Sequence, residues 1–289
     1  MDKFSKALLT LALTTGSLYS NAQNSVRADD VNTGDNYQLV WADEFNTKGA
    51  PSKKNWQYEN GFVRNNELQW YQPQNAYCDS GLLIIEARRT NIPNPNYKET
   101  DADSWRSRRK NIEFTSASLN THGLQSWKYG RFVMKGRIDI SAGIWPAFWT
   151  LGINGPWPSN GEIDIMEYYK GNILANIATG TDKQYSPKWF SVTKPVKDFN
   201  DPLWASKFHV WRMDWDEKAI SLFVDDELLN RVELKDLANR DARGENPFMQ
   251  PHYILLNLAV GGDNGGDPSA TTFPRKFEID YVRVYQRKQ

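Results

Sequence analysis

Three carboxylates stand close together in Gly161-Glu162-Ile163-Asp164-Ile165-Met166-Glu167-Tyr168-Tyr169, a run otherwise rich in β-formers. In a regular strand Glu162 and Asp164 share one face, and Ile163 and Ile165 share the other. Glu167 would then fall among the isoleucines, where an unpaired ionised carboxylate is costly to bury. A β-bulge near Ile165-Met166 removes the conflict, because one extra residue returns Glu167 to the carboxylate face. Glu162 and Glu167 are then roughly four strand steps apart, about 13 Å between Cα atoms at ~3.3 Å per residue. Side chains leaning inward by ~4 Å each leave carboxyls about 5 Å apart, the separation of a retaining rather than an inverting glycosidase pair. Asp164, between them, can hydrogen-bond a nucleophile, and its negative charge would help keep a neighbouring acid protonated. A solvated acidic strand edge, or a calcium site made by the same oxygens, uses identical residue types. Spacing alone leaves these readings open.

The elements that must hold such a site read as strands. Period-two alternation marks Leu82–Arg88, Ile112–Leu119, Tyr129–Ile140, Ile144–Leu151, Glu162–Tyr169, Phe208–Trp215, Ala219–Val224, His252–Val260 and Phe277–Tyr285. Asp225-Asp226 and Gly261–Gly266 are turn material, and only Leu228–Asn239 and Leu203–Lys207 hint at helix. Many strands without alternating helices predict an all-β fold, an antiparallel β-sandwich or jelly roll, in one domain. The chain carries 12 Trp, 13 Tyr and 13 Phe, more rings than a core needs, so some are free to line a groove. With 35 Lys+Arg against 35 Asp+Glu, there is no basic excess for nucleic acid or an anionic membrane. Sugar is the partner this balance favours.

Lys3 and Lys6 precede the apolar run Ala7–Leu13, and Ser20-Asn21-Ala22 closes the segment, as in a secretory signal peptide. Export to periplasm, cell surface or medium is expected, with cleavage after Ala22, a flexible segment over 23–36 and the catalytic domain over 37–289. The lone Cys78 cannot close a disulfide within the chain and reads as a small buried strand residue. His122, His209 and His252 lack zinc-ligand spacing; His209 and His252 sit in strand patterns as ordinary residues. HExxH, Gly-x-Ser-x-Gly and GxxxxGK[ST] patterns are absent from the sequence. The glycines of Gly261–Gly266 open no helix and make a dinucleotide site improbable. A monomer is expected, because no segment offers an obvious self-association stripe.

Ile144-Trp145-Pro146-Ala147-Phe148-Trp149-Thr150-Leu151-Gly152, followed by Glu162-Ile163-Asp164-Ile165-Met166-Glu167, resembles glycoside hydrolase family 16. The resemblance extends to Trp41–Asn46, Asn66–Tyr71, Thr115-Ser116-Ala117, Tyr129-Gly130-Arg131 and Glu278–Tyr285, and so covers nearly all of the chain after the apolar run. It implies a concanavalin-like jelly roll with a concave substrate cleft, and endo-hydrolysis of a β-linked polysaccharide with retention. Carried over by motif position, Glu162 is the nucleophile, Asp164 its helper and Glu167 the general acid/base. Trp145 and Trp149 would be sugar platforms. Glu67, Asn65, Asn66 and Arg64 would contact the sugar beside the scissile bond. No cofactor is needed for catalysis, but a structural calcium is implied away from the cleft, with Glu44 and Asp280 in the segments that supply ligands.

The bulged motif resembles the laminarinase-like and galactan-cleaving members rather than bacterial lichenases. The strand after it, Asn172–Gln184, lacks the histidine usual in laminarinase-like members, and Lys183–Trp204 runs long and aromatic, as a loop that could wall the cleft. A β-1,3-glucan is the preferred substrate. An endo-β-galactosidase acting on agar- or porphyran-type galactan or host O-glycan stays open, and a non-catalytic lectin is the rival from another class. The cluster Arg106, Arg108, Arg109 and Lys110 reads as a solvated loop.

Overall fold

The computed structural model describes residues 36–100, 104–241 and 244–288. The expected signal peptide, and all but the last residue of the segment over 23–36, lie outside the described residues. In chain order the strands are β1 (Tyr37–Asp43), β2 (Gln57–Tyr58), β3 (Gln69–Tyr71), β4 (Ala76–Asp79), β5 (Leu82–Pro93), β6 (Asn111–Ser116), β7 (Ser118–Asn120), β8 (Gly130–Arg137) and β9 (Ile144–Gly152). They continue as β10 (Glu162–Tyr169), β11 (Asn172–Gly180), β12 (Pro187–Pro195), β13 (His209–Trp215), β14 (Ala219–Val224), β15 (Glu227–Glu233), β16 (His252–Val260) and β17 (Arg275–Arg287).

These strands form a jelly-roll sandwich of two sheets. One runs β12-β11-β10-β9-β16-β7-β2 and carries the carboxylates. The other runs β15-β14-β13-β8-β17-β5-β6-β3, with β1 beside β17 and β4 beside β5. Pairing is antiparallel except between β3 and β6. The core follows the alternation in the sequence: Phe148, Ile163, Ile165 and Ile177 from the first sheet meet Phe132, Met134, Trp211 and Val282 from the second. Cys78 is buried in β4, where loss of solvent pushes its thiol up to about 12. His252 accepts or donates to Thr150 Oγ1 at 3.1 Å and faces the Pro247 carbonyl at 3.1 Å; burial holds it neutral, its pKa lowered to about 4. His209 likewise lies between Asp225 and the Trp204 carbonyl.

Two expectations of helix fail. The first half of Leu228–Asn239 is strand β15, followed by a 3-10 turn at Leu234–Asp236, and Leu203–Lys207 holds only the 3-10 turn Trp204–Ser206. Pairing with β14 wins over weak local helix preference. Conversely, Gly262–Gly265 closes one helical turn rather than a plain loop. Residues 183–204 are not simply a loop either: their centre is the edge strand β12, in register with β11 along its whole length. Phe190, Phe199 and Trp204 pack on the core, leaving Tyr185 and Trp189 exposed.

Candidate active site

The bulge is where the carboxylate pattern requires it. Glu162 and Glu167 are opposite Leu151 and Ala147 on β9, and opposite Ala178 and Leu174 on β11. Five residue steps of β10 are thus matched by four on each neighbour. The extra residue lets Ile165 and Met166 both enter the core while Glu167 rejoins Glu162 and Asp164 on the cleft face. The two glutamates stay about 13 Å apart at Cα, at ~3.3 Å per matched step.

Each glutamate is held by an indole. Trp157 Nε1 donates to Glu162 Oε2, and Trp145 Nε1 donates to Glu167 Oε1 at 2.7 Å. Asn176 Nδ2, from β11, donates to Glu167 Oε2 at 3.2 Å. Burial raises all three carboxyls, but by different routes. Glu167 is pushed up to about 7 by desolvation, aided by the charge of Glu162 and opposed by the Trp145 and Asn176 donors. Glu162 is raised by desolvation, against hydrogen bonds from Trp157 and Asp164 and the nearby Arg64 charge. Asp164 is driven furthest in direction, well above its usual range, by desolvation and by both glutamates. Asp164 and Glu162 are hydrogen-bonded to one another, so the short carboxyl between the two glutamates contacts Glu162 directly.

Arg64, Asn65, Glu67, Trp145 and Trp149 line the same pocket as the carboxylates. Trp145 and Trp149 are only 5% and 7% exposed, so little indole face is open to a sugar. Their contacts run through N–H instead: Trp149 Nε1 donates to Asn257 Oδ1 at 2.7 Å, and the Arg64 guanidinium covers its ring at 5.1 Å. Glu67 is 2% exposed and accepts from Gln69 Nε2 at 2.6 Å, Tyr71 Oη at 3.2 Å and Asn65 Nδ2 at 3.4 Å. It braces the pocket wall rather than presenting an open oxygen, and burial raises its pKa. Asn66 turns away from the pocket to donate to Asp263 Oδ1 at 3.0 Å.

Asn65 and Asn66 both adopt left-handed backbone, and Gly262 packs against them: a Cβ there would meet the Asn65 carbonyl at 2.6 Å. The cluster around Arg106 is a largely solvated turn, as expected, with Arg106, Arg108 and Lys110 exposed and Arg109 half-buried, but it also makes contacts. Arg106 Nε donates to the Phe62 carbonyl at 2.8 Å, and Arg109 Nη2 to the Asn66 carbonyl at 2.7 Å, so two arginines buttress the segment that carries Arg64 and Glu67. Sequence reasoning missed Trp157, Asn176, Asn257, Gln69 and Tyr71, whose roles depend on which strands lie side by side. Trp157 alone left a sequence signal, a tryptophan five residues before Glu162 in a turn-rich stretch.

Glu44 and Asp280 stand apart from this pocket, as expected. Glu44 Oε1 and Oε2 accept from Arg283 Nε at 2.7 Å and Nη2 at 3.0 Å, both partners fully buried. Asp280 Oδ2 lies 3.6 Å from Lys135 Nζ. Among the described residues no group of three or more His, Cys, Asp or Glu is placed to hold a metal. The Glu44 side chain is therefore engaged by Arg283.

A family model described as Glycosyl hydrolases family 16 matches residues 64–283. The chain is 36% identical to a β-glucanase of Rhodothermus marinus, over 86% of this chain and 85% of that protein. The laminarinase structure from the same organism superposes with a TM-score of 0.71 at 35% identity, covering 88% and 98% of the two chains. A structure from work on endo-acting O-glycanases that human gut microbiota express to initiate mucin breakdown superposes with a TM-score of 0.78 at 33% identity, covering 88% and 92%. Some matched relatives are much longer, and the chain spans only 38% and 34% of two of them.

Proposed function

The chain belongs to glycosyl hydrolases family 16, and from that premise we propose that it cleaves internal β-1,3 linkages of a laminarin-type glucan with retention of configuration. The observation that carries the reading is the five-against-four register of β10. It brings Glu162 and Glu167 to one pocket, about 13 Å apart at Cα, and this spacing supports their reading as nucleophile and acid/base. In the first step a Glu162 oxygen attacks the anomeric carbon while Glu167 gives its proton to the departing glycosidic oxygen. Asp164 hydrogen-bonds the Glu162 carboxyl and helps hold it for attack. In the second step Glu167, now ionised, takes a proton from water. The hydroxide oxygen bonds to the anomeric carbon, and the Glu162 ester breaks with retained configuration. No step requires a metal or cofactor. A non-catalytic lectin would not need this bulge, which brings both glutamates to one pocket.

The glucan assignment draws on the β-glucanase and laminarinase similarities. A galactan or mucin glycan is the second reading, favoured by the higher TM-score to the structure from the O-glycanase work and by a β11 without histidine. We also propose export, from the charged and apolar N-terminal pattern, and a monomeric state. No helix among the described residues is long and apolar enough to cross a membrane. The deciding experiment is chromatography of products after incubation with laminarin, mixed-linkage glucan, agarose, porphyran and a mucin glycan fraction. Short oligosaccharides from laminarin are expected; products from galactan or mucin alone would overturn the glucan assignment and leave the carboxylate chemistry standing.

A further inference from the structure

A retaining pair works from opposite faces of the sugar ring, so a chain held between Glu162 and Glu167 runs across the strands and not along them. Register fixes its track. Asp164, between the glutamates, is opposite Asn176 on β11, which is opposite Ser191 on β12. Two strand spacings, roughly 10 Å, separate Asp164 from Ser191. One flanking row runs Glu162, Ala178, Trp189, and the other runs Glu167, Leu174, Thr193.

Trp189 must face the cleft. Its neighbour Phe190 is opposite Ile177 and packs into the core, so alternation turns Trp189 to the carboxylate side. It is 42% exposed, unlike the enclosed Trp145 and Trp149. In the strand register Ala178 stands between it and Glu162, and beside it lies the small, exposed Ser191. The cleft side of β12 from Pro187 to Pro195 bears no charge. Lys188 and Lys194 have the opposite parity, with Lys188 over Phe190 and Lys194 paired to Glu227.

We propose that Trp189 is the sugar-stacking platform of the cleft arm over β11 and β12, and that this arm takes uncharged pyranose rings remote from the scissile bond. An indole presents a flat apolar face to the C–H groups of a β-linked ring, and this face of β12 offers no cation for a sulfate. The inference rests on the glycosidase reading but not on which polysaccharide is cleaved.

The test is a length series of oligosaccharides, prepared from whichever polysaccharide of the panel the wild type shortens, so that an error about laminarin shows separately. Trp189→Ala should raise KM about tenfold on the longest oligosaccharide with kcat retained, and the effect should shrink as the chain shortens. Trp189→Tyr, which keeps a ring, should recover most of the loss. Thermal denaturation checks that both variants fold. An unaltered length dependence, or an equal loss at every length, would overturn the proposal.

Discussion

Trp145 Nε1 reaches across from β9 to Glu167 Oε1 on β10 at 2.7 Å, so the proton affinity of the proposed acid is set in part by an indole twenty-two residues earlier in the chain. This N–H favours the ionised carboxylate and pulls against the burial that raises Glu167 to about 7. Glu167 must be protonated to assist departure, so kcat/KM should fall as pH rises through about 7. In Trp145→Phe the opposing donor is gone and the carboxyl rises further, so the alkaline limb should move up by about one pH unit. A pH–rate profile of the two proteins checks this; a limb moving down would refute the assignment of the acid.

Glu162→Gln removes the nucleophile while keeping its shape and one acceptor for Trp157. Turnover should fall by at least ~10³-fold with oligosaccharide binding retained, because attack on the anomeric carbon is lost and the pocket is not. Reducing-end release and binding on the same sample separate the two effects. Substantial residual hydrolysis would sink the nucleophile assignment.

Glu167→Ala should leave the first step usable only for a substrate with a good leaving group. Added azide, which needs no general base, should then restore turnover and give a β-glycosyl azide. An inverted azide product, identified by NMR, would exclude retention.

The same carboxyl affects stability. Its folded pKa lies above the unfolded value, so its favourable contribution is present below the unfolded pKa, near 4.5, and is lost as pH rises through about 7. Glu167→Gln should therefore flatten the decline in Tm between about pH 5 and 8 relative to wild type. A decline of equal slope in both proteins would show that Glu167 is not the group responsible.

The Glu44–Arg283 pair is buried far from the cleft, and removing one partner strands the other charge in the core. Arg283→Met should destabilise by about 3–5 kcal/mol, lowering Tm by roughly 10 °C for a domain of this size. Denaturant titration and calorimetry measure it, with kcat of the folded fraction expected to hold. A fall below about 1 kcal/mol would mean the pair is replaceable.

The amino-acid sequence by itself determined the all-β class, the central cleft strands β9, β10 and β16, and the bulge. Those features are local: alternation reports which side of a strand meets water, and a glutamate stranded among Ile163 and Ile165 demands an extra residue. β10, β14 and β16 are legible to their end residues for that reason. β11 and β12 escaped because a run buried on both faces, such as Ile173–Thr179, shows no alternation, and an edge strand shows little. Only the tertiary structure decided the surroundings of the carboxyls and the bracing of the site. Trp157, Asn176 and Arg109 act on residues brought near by folding, and the Asp164 carboxyl is raised by burial and by the two glutamates beside it. Electric fields and hydrogen bonds depend on distance in space, which residue order alone does not supply.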